Sequence, residues 1–275
     1  MAQPDFGTYT PSLWVRTLLA LSQRTLLGRG KARRWLAGLL QDAHEGPLDA
    51  HIWNQPVRIH IGNNNNEMKA LISPASFNRT ERKALKDYLP RTGGVFVDIG
   101  ANVGMLSIAA RAHMETGTLV AIEPQPAMFN RLAFNLEQAG ASSEVRCALV
   151  KAAIGASEGE ADLTIPNQPG TASLATIDAD AVDTVTVAVR PLLAVCEEIG
   201  IESIDVLKID VEGFEDQALL PFYRAAPQTL WPGVVIMEHC HSGRWAGDVI
   251  AFLTERGYAT VHRDRQNICL EYRAR

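Results

Sequence analysis

Cysteine is scarce and scattered. Cys147, Cys196, Cys240 and Cys269 form no C-x-x-C pair and lack the density of a disulfide framework, so we expect them reduced and mostly buried. No apolar run approaches the ~18–20 residues that a membrane-spanning helix requires. The opening Met1-Ala-Gln-Pro-Asp lacks the charged-then-apolar order of a secretory leader. These absences together predict a cytoplasmic protein. A basic excess is missing as well: the net charge is −5, which gives no case for a nucleic-acid partner. Internal repeats are absent. What remains is 275 residues, 47% of them hydrophobic, enough for one large domain and an appendage.

The chain is organised around Val95-Phe-Val-Asp-Ile-Gly-Ala-Asn-Val-Gly104. The apolar run predicts a buried strand over 95–99, the glycines a turn, and the breaker-free stretch 105–112 a helix. A strand passing through a tight turn into a helix is expected to turn backbone N–H groups toward a bound cofactor. Gly100 and Gly104 are expected to let backbone approach that ligand closely. The loop lacks the G-x-G-x-x-G spacing of dinucleotide sites, and the acidic Asp98 before it suits a ligand with amino, carboxylate and sulfonium groups. The next apolar run ends in Ile122-Glu-Pro124, where Glu123 can accept both ribose hydroxyl hydrogens. Strand, turn, helix, strand and acid together predict an S-adenosylmethionine site.

Beyond this stretch, strand and helix patterns alternate. Helices are predicted over 126–139, 192–199 and 246–256, and a further one through about residue 223. Strands are predicted over 118–122, 145–150, 184–189, 204–210 and 234–237, with a closing antiparallel pair at 258–262 and 267–272. The result is an α/β fold, a mainly parallel sheet with helices on both faces and an antiparallel edge strand near the C-terminus. Residues 158–165 read as a short hairpin and the Gly- and Pro-rich stretch 166–173 as a connecting loop. Upstream, 11–42 is helical in pattern, 48–62 a hairpin turning at Asn54-Gln55-Pro56, and 80–89 a helix with Thr80 as its cap. Residues 1–69 are expected to form a helical and hairpin cap, and 70–275 the cofactor-binding domain. The basic helices of 11–42 read first as a cap packed on the core with its arginines in solvent. The other reading is an amphipathic element that touches a partner or a membrane surface.

Four predicted strands end in acids: Asp98, Glu123, Asp210 and Glu238. In a doubly wound sheet those ends share one edge, so the acids converge on one crevice. The segments Val97-Asp-Ile-Gly-Ala-Asn-Val-Gly104, Ile122-Glu-Pro124 and Leu207-Lys-Ile-Asp-Val-Glu-Gly-Phe-Glu215 resemble the FkbM-type methyltransferases. Ala153-Ile-Gly155 and Met237-Glu-His239 fall where that family has related segments, and the resemblance covers roughly residues 70–272. It implies a class I, Rossmann-like methyltransferase fold and O-methylation of sugars or other hydroxyl-bearing metabolites. It further implies Asp98, Gly100, Asn102 and Gly104 around the methionine part of S-adenosylmethionine, Glu123 at the ribose, and Asp210, Glu212 and Gly213 on the acceptor side. Where the family usually carries a Leu-Asp pair before that strand, this chain reads Arg190-Pro-Leu-Leu193.

A hydroxyl acceptor must lose its proton, so a base is required, and Asp210, Glu238 and His239 are the candidates. Lys208, within the strand, is expected to pair with a neighbouring acid. Adjacent members of Glu238-His-Cys-His241 point to opposite sides of a strand, and no second cluster completes a zinc site. Asp210 and Glu238 could hold a magnesium ion with water and substrate oxygens. The expected partner is a small-molecule or glycan acceptor. Two other readings are weighed against this one: a nicotinamide-dependent oxidoreductase, disfavoured by the loop spacing, and a non-catalytic cofactor-fold protein docking through its basic helices.

Overall fold

The computed structural model describes residues 3–25, 30–44, 46–62, 65–140, 144–166 and 181–274. Most of the 166–173 stretch lies outside them. The central sheet begins with β3 (Gly94–Ile99), β4 (Thr116–Ile122) and β5 (Glu144–Val150), separated by α5 (Met105–His113) and α6 (Pro126–Ala139). After α7 (Leu192–Ile199) come β9 (Val206–Ile209), α8 (Glu215–Ala225), β10 (Val234–Glu238), α9 (Val249–Glu255), β11 (Tyr258–Arg263) and β12 (Asn267–Tyr272). In space the order is β11-β12-β10-β9-β3-β4-β5. β3, β4, β5, β9 and β10 run parallel, and β12 is antiparallel to both of its neighbours. This is the Rossmann-like class I methyltransferase arrangement. The antiparallel strand lies inside the sheet between β10 and β11, with β11 at the edge.

Both faces of the sheet are covered, so the strands read as continuous apolar runs and their alternation divides two cores. Phe96, Leu119, Val206 and Ile236 belong to one buried cluster, shared with α5 and α6. Val97, Val120, Leu207 and Val235 belong to the other, shared with α7, α8 and α9. A one-residue slip of any strand would exchange the two sets, so register is tightly specified. Gly200, at φ +77°, ends α7 in the left-handed conformation that a C-terminal glycine supplies.

The N-terminal segment comprises α1 (Leu13–Arg24), α2 (Gly30–Ala43), the hairpin β1 (Pro47–Ile52) and β2 (Gln55–His60), α3 (Asn65–Ile72) and α4 (Arg79–Tyr88). The hairpin turn is Trp53-Asn54, both at positive φ, one residue earlier than the sequence pattern placed it. α3 is an element that the sequence pattern did not predict. The residue preceding α4 is Asn78 at φ +41°, not Thr80, which lies inside the helix. Val15, Leu40, Leu48, Ile59 and Leu71 join the same buried cluster as Phe96 and Leu132, so this segment shares the sheet's core. Arg58 anchors it: buried, it forms an ion pair with Asp49 at 2.7 Å and stacks over Phe134 of α6 at 4.1 Å.

Residues 158–165 do not close a hairpin on themselves. β7 (Gly159–Pro166) pairs antiparallel along its whole length with β8 (Ala181–Arg190), and β6 (Ala153–Ile154) completes a separate three-stranded sheet. The strand expected there is present, but its partner is residues 181–190, not a second strand within 158–165.

Candidate active site

The register of β3 against β9 sets Asp98 opposite Lys208 on the sheet face that carries α5. Asp98 is 1% exposed and accepts a hydrogen bond from Ser107 Oγ of α5 at 2.6 Å. Lys208 Nζ lies 3.5 Å from Asp98 Oδ1 and 3.8 Å from Asp210 Oδ2, and donates to the Gly100 carbonyl at 2.9 Å. Burial alone would lower the lysine pKa, but Asp98 and Asp210 more than offset it and hold the ammonium charged. Lys208 is therefore the fixed cation that lets two acids share one strand edge.

The turn after β3 does not offer its N–H groups to a ligand, contrary to the expectation from its shape. Gly100 and Ala101 donate to the Ile122 carbonyl, Asn102 to Glu123 Oε2, Val103 to Asn102 Oδ1, and Gly104 to the Ala101 carbonyl. With those donors occupied, the turn is no phosphate cradle. The glycines also have an internal reason. Gly100 sits at φ +72°, and a Cβ there would overlap the carbonyl oxygen of Asp210 on β9's end. At Gly104, φ +86°, a Cβ would fall 2.6 Å from Leu132 Cδ1 of α6. Each permits a close approach of protein to protein.

Glu123, 7% exposed at the end of β4, accepts N–H groups of Asn102 at 2.8 Å and Gln125 at 2.9 Å, one on each oxygen. Burial pushes its carboxyl up to about 7, against those hydrogen bonds and the Lys208 charge. Each oxygen keeps a lone pair, so the group can still accept two hydroxyl hydrogens from a ligand.

A second group of acids forms where β9 and β10 end. Asp210, Glu212 and Glu238 bring carboxylate oxygens within 4.8 Å of one another. Burial and the neighbouring Asp210 and Glu212 raise Glu238 to about 8, and burial with Asp210 raises Glu212. Glu212 (φ +56°) and Gly213 (φ +101°) make a strained turn, which Glu215 braces. The fully buried Glu215 accepts the Val211 and Gly213 N–H groups and the Trp245 indole N–H. The sequence reading gave Glu215 no role in this site; its place two residues after Gly213 was the available signal.

The histidine at this cluster is His241, not His239. His239 directs its ring to the Asp264 carbonyl at 3.0 Å, in the β11–β12 turn. His241 Nδ1 lies 3.3 Å from Glu238 and 3.5 Å from Glu212. The strand ends at Glu238, so strict alternation does not extend to the residues after it.

Asp98, Gly100, Asn102, Glu123, Lys208, Asp210 and Glu212 line one crevice, open to solvent. Its wall also includes Asn66, Phe77 and Asn78 from the N-terminal segment, Gln125 and Phe214, and the apolar Ala153, Ile154 and Leu163 beside the small sheet. Asn66, Phe77 and Asn78 were invisible to motif reading because they belong to another part of the chain, brought there by α3 and α4.

Residues 98–260 match the Methyltransferase FkbM domain. The chain is 27% identical over 200 residues, covering 62% of itself and 74% of its relative, to methyltransferase sdnD of Sordaria araneosa. Among solved structures it is similar to precorrin-6y C5,15-methyltransferase of Geobacter metallireducens, at a TM-score of 0.44 and 15% identity over 72% of this chain and 90% of that one. It is also similar to the M. jannaschii tRNA m1G37 methyltransferase, at 0.46 and 10% identity over 90% and 70%. The FkbM match spans the turn after β3 and the acid cluster and ends within β11, more than half of the chain, so this chain belongs to the FkbM methyltransferase family.

Proposed function

We infer that the chain transfers the methyl group of S-adenosylmethionine to a hydroxyl of a sugar, glycan or other small metabolite. The observation that carries this reading is Glu238. Its carboxyl lies within 4.8 Å of those of Asp210 and Glu212, which line the crevice, and burial with those two acids raises it to about 8, into the range of a proton acceptor near neutral pH. A neutral amine, by contrast, could attack without a strong base.

When bound, S-adenosylmethionine supplies an already activated methyl carbon. The chain's part is to bind, orient and deprotonate. Glu123 would accept the ribose hydroxyl hydrogens, and Ala153, Ile154 and Leu163 would offer the adenine an apolar wall. Asp98, held by Ser107 and Lys208, and Asn102 would hold the methionine part. Asp210, Glu212 and Gly213 shape the acceptor side. Glu238 takes the acceptor proton as oxygen attacks, and Asp210 shares it. Residues 1–69 cap this domain and close one side of the crevice through Asn66, together with the neighbouring Phe77 and Asn78. In-line alignment of the acceptor oxygen with the methyl carbon supplies much of the rate.

The test is transfer of labelled methyl from S-adenosylmethionine to a panel of hydroxyl and amine acceptors, repeated with Glu238→Gln and Asp210→Asn. Labelling of hydroxyl acceptors that is lost in both variants, with S-adenosylhomocysteine binding retained, is the expected result. Labelling of amines alone, or full turnover by both variants, overturns it. The three clustered carboxylates also form an oxygen set of the kind that suits magnesium with water. Loss of activity in EDTA, restored by magnesium alone, would assign the cluster to the metal, and activity that persists would leave it to the proton.

A further inference from the structure

The large apolar side chains exposed among the described residues all lie on α1 and α2: Leu13, Trp14 and Leu21 on the first, Trp35 on the second. Trp14 and Trp35 leave 50% and 62% of their surface in solvent. The inward face of α1 is already satisfied, because Val15, Leu19 and Ser22 are buried. Trp14 and Leu21 are two turns apart and form a stripe outside that face. α1 and α2 touch each other and both rest on α3, so their solvent faces are neighbours on the cap.

The same segment is a pole of positive charge. Residues 11–43 hold Arg16, Arg24, Arg29, Lys31, Arg33 and Arg34 against Asp42 alone, a net +5. The whole chain is −5, so everything outside this segment sums to −10. Exposed tryptophans beside basic side chains, on an otherwise acidic molecule, have the chemistry of a surface that meets anionic headgroups. Indole rings favour the interface, basic residues are drawn to the negative surface potential, and the acidic remainder is turned away. No helix among the described residues is long and apolar enough to cross a membrane, which leaves docking on the surface.

We propose that α1 and α2 form a docking surface for an anionic lipid bilayer, with Trp14 and Trp35 entering the headgroup layer and the arginines meeting lipid phosphates. The surface stands apart from the crevice residues and does not depend on which acceptor is methylated.

The test is flotation of the full chain with phosphatidylcholine vesicles, with and without about one third phosphatidylglycerol, at low and high salt. Binding is expected only to the phosphatidylglycerol vesicles and to fall with salt. Trp14→Ser/Trp35→Ser, and separately Arg16→Gln/Arg24→Gln/Arg34→Gln, are expected to weaken it about tenfold or more while thermal unfolding stays unchanged, since these side chains are mostly in solvent. Failure of the intact protein to float, or flotation unaffected in both variants, overturns the proposal. So does light scattering that finds a dimer which the tryptophan variant converts to monomer without any vesicle binding, because the patch would then belong to a second copy.

Discussion

Glu123 offers the sharpest quantitative test of the cofactor site. Its carboxyl is displaced from an ordinary value of 4.5 to about 7. A native-state value above the unfolded one means that the folded protein holds this proton more tightly. Its contribution to stability is therefore full below the unfolded value and declines as pH rises from about 4.5 to about 7, by roughly 3 kcal/mol at most. Ribose hydroxyls donate to the carboxylate, so binding S-adenosylhomocysteine selects the ionised form and releases a proton. At about pH 6 only about one tenth of the group is ionised, so affinity should be about tenfold weaker than on the plateau near pH 8, or about 1.4 kcal/mol. Isothermal titration in buffers of different ionisation enthalpy reads both the affinity and the proton. Glu123→Gln should remove the slope altogether. An amide offers one acceptor oxygen where the carboxylate offers two, so the N–H of Asn102 or Gln125 loses its partner. That costs about 1–3 kcal/mol at low pH and is offset at high pH by relief of the buried charge. A wild-type affinity that is flat across neutral pH would refute the ribose role. A slope that survives in Glu123→Gln would assign the titration to another group.

Three further outcomes follow from the geometry. Gly100→Ala places a methyl against the Asp210 carbonyl at a left-handed φ and should cost at least about 2 kcal/mol in urea unfolding, whereas Gly104→Ala meets only the movable Leu132 side chain and should cost less. Asp49→Ala leaves the buried Arg58 without its carboxylate and should destabilise by about 3–5 kcal/mol; a loss under about 1 kcal/mol would show that the Pro4 and Asp5 carbonyls suffice to hold the guanidinium. The methyl-transfer rate should climb with pH through the Glu238 value of about 8, because the base must be deprotonated, and Glu238→Gln should flatten that climb and lower kcat about 10²–10⁴-fold.

The parallel sheet was legible because strands buried on both faces announce themselves as unbroken apolar runs. β3, β4, β5 and β10 appear within a residue or two of where those runs lie. Asp98, Glu123 and Asp210 were legible as convergent for the same reason: each ends such a run, and topology does the rest. Features that depend on a partner elsewhere in the chain escaped. β7 has strand alternation, but only β8 determines that it does not fold back on itself. α3 opens in a polar asparagine run, and its place is fixed by burial of Ala70, Leu71 and Ile72 against the common core. His239 and His241 could not be told apart by alternation once β10 had ended and the chain entered a loop.

The turn after β3 is where reading by analogy and reading by physics diverge. Its glycines match a nucleotide-type pattern, which invites a cradle of N–H donors. In the fold the donors from Gly100 to Gly104 are all engaged, two of them by the carbonyl of Ile122 and one by Glu123 itself. A ligand bringing a pyrophosphate would find no amides there to neutralise it, and carboxylates instead at Asp98, Glu123 and Asp210. The preference for a cationic, hydroxyl-bearing cofactor therefore comes from which groups remain free to interact, not from the glycine spacing. The same accounting ties the cap to the site. Asn135 of α6 accepts the Arg58 N–H from β2 and donates to the Val103 carbonyl in the turn. The conformation of the cofactor turn is thus held from one side by the sheet and from the other, through one buried amide, by the N-terminal segment.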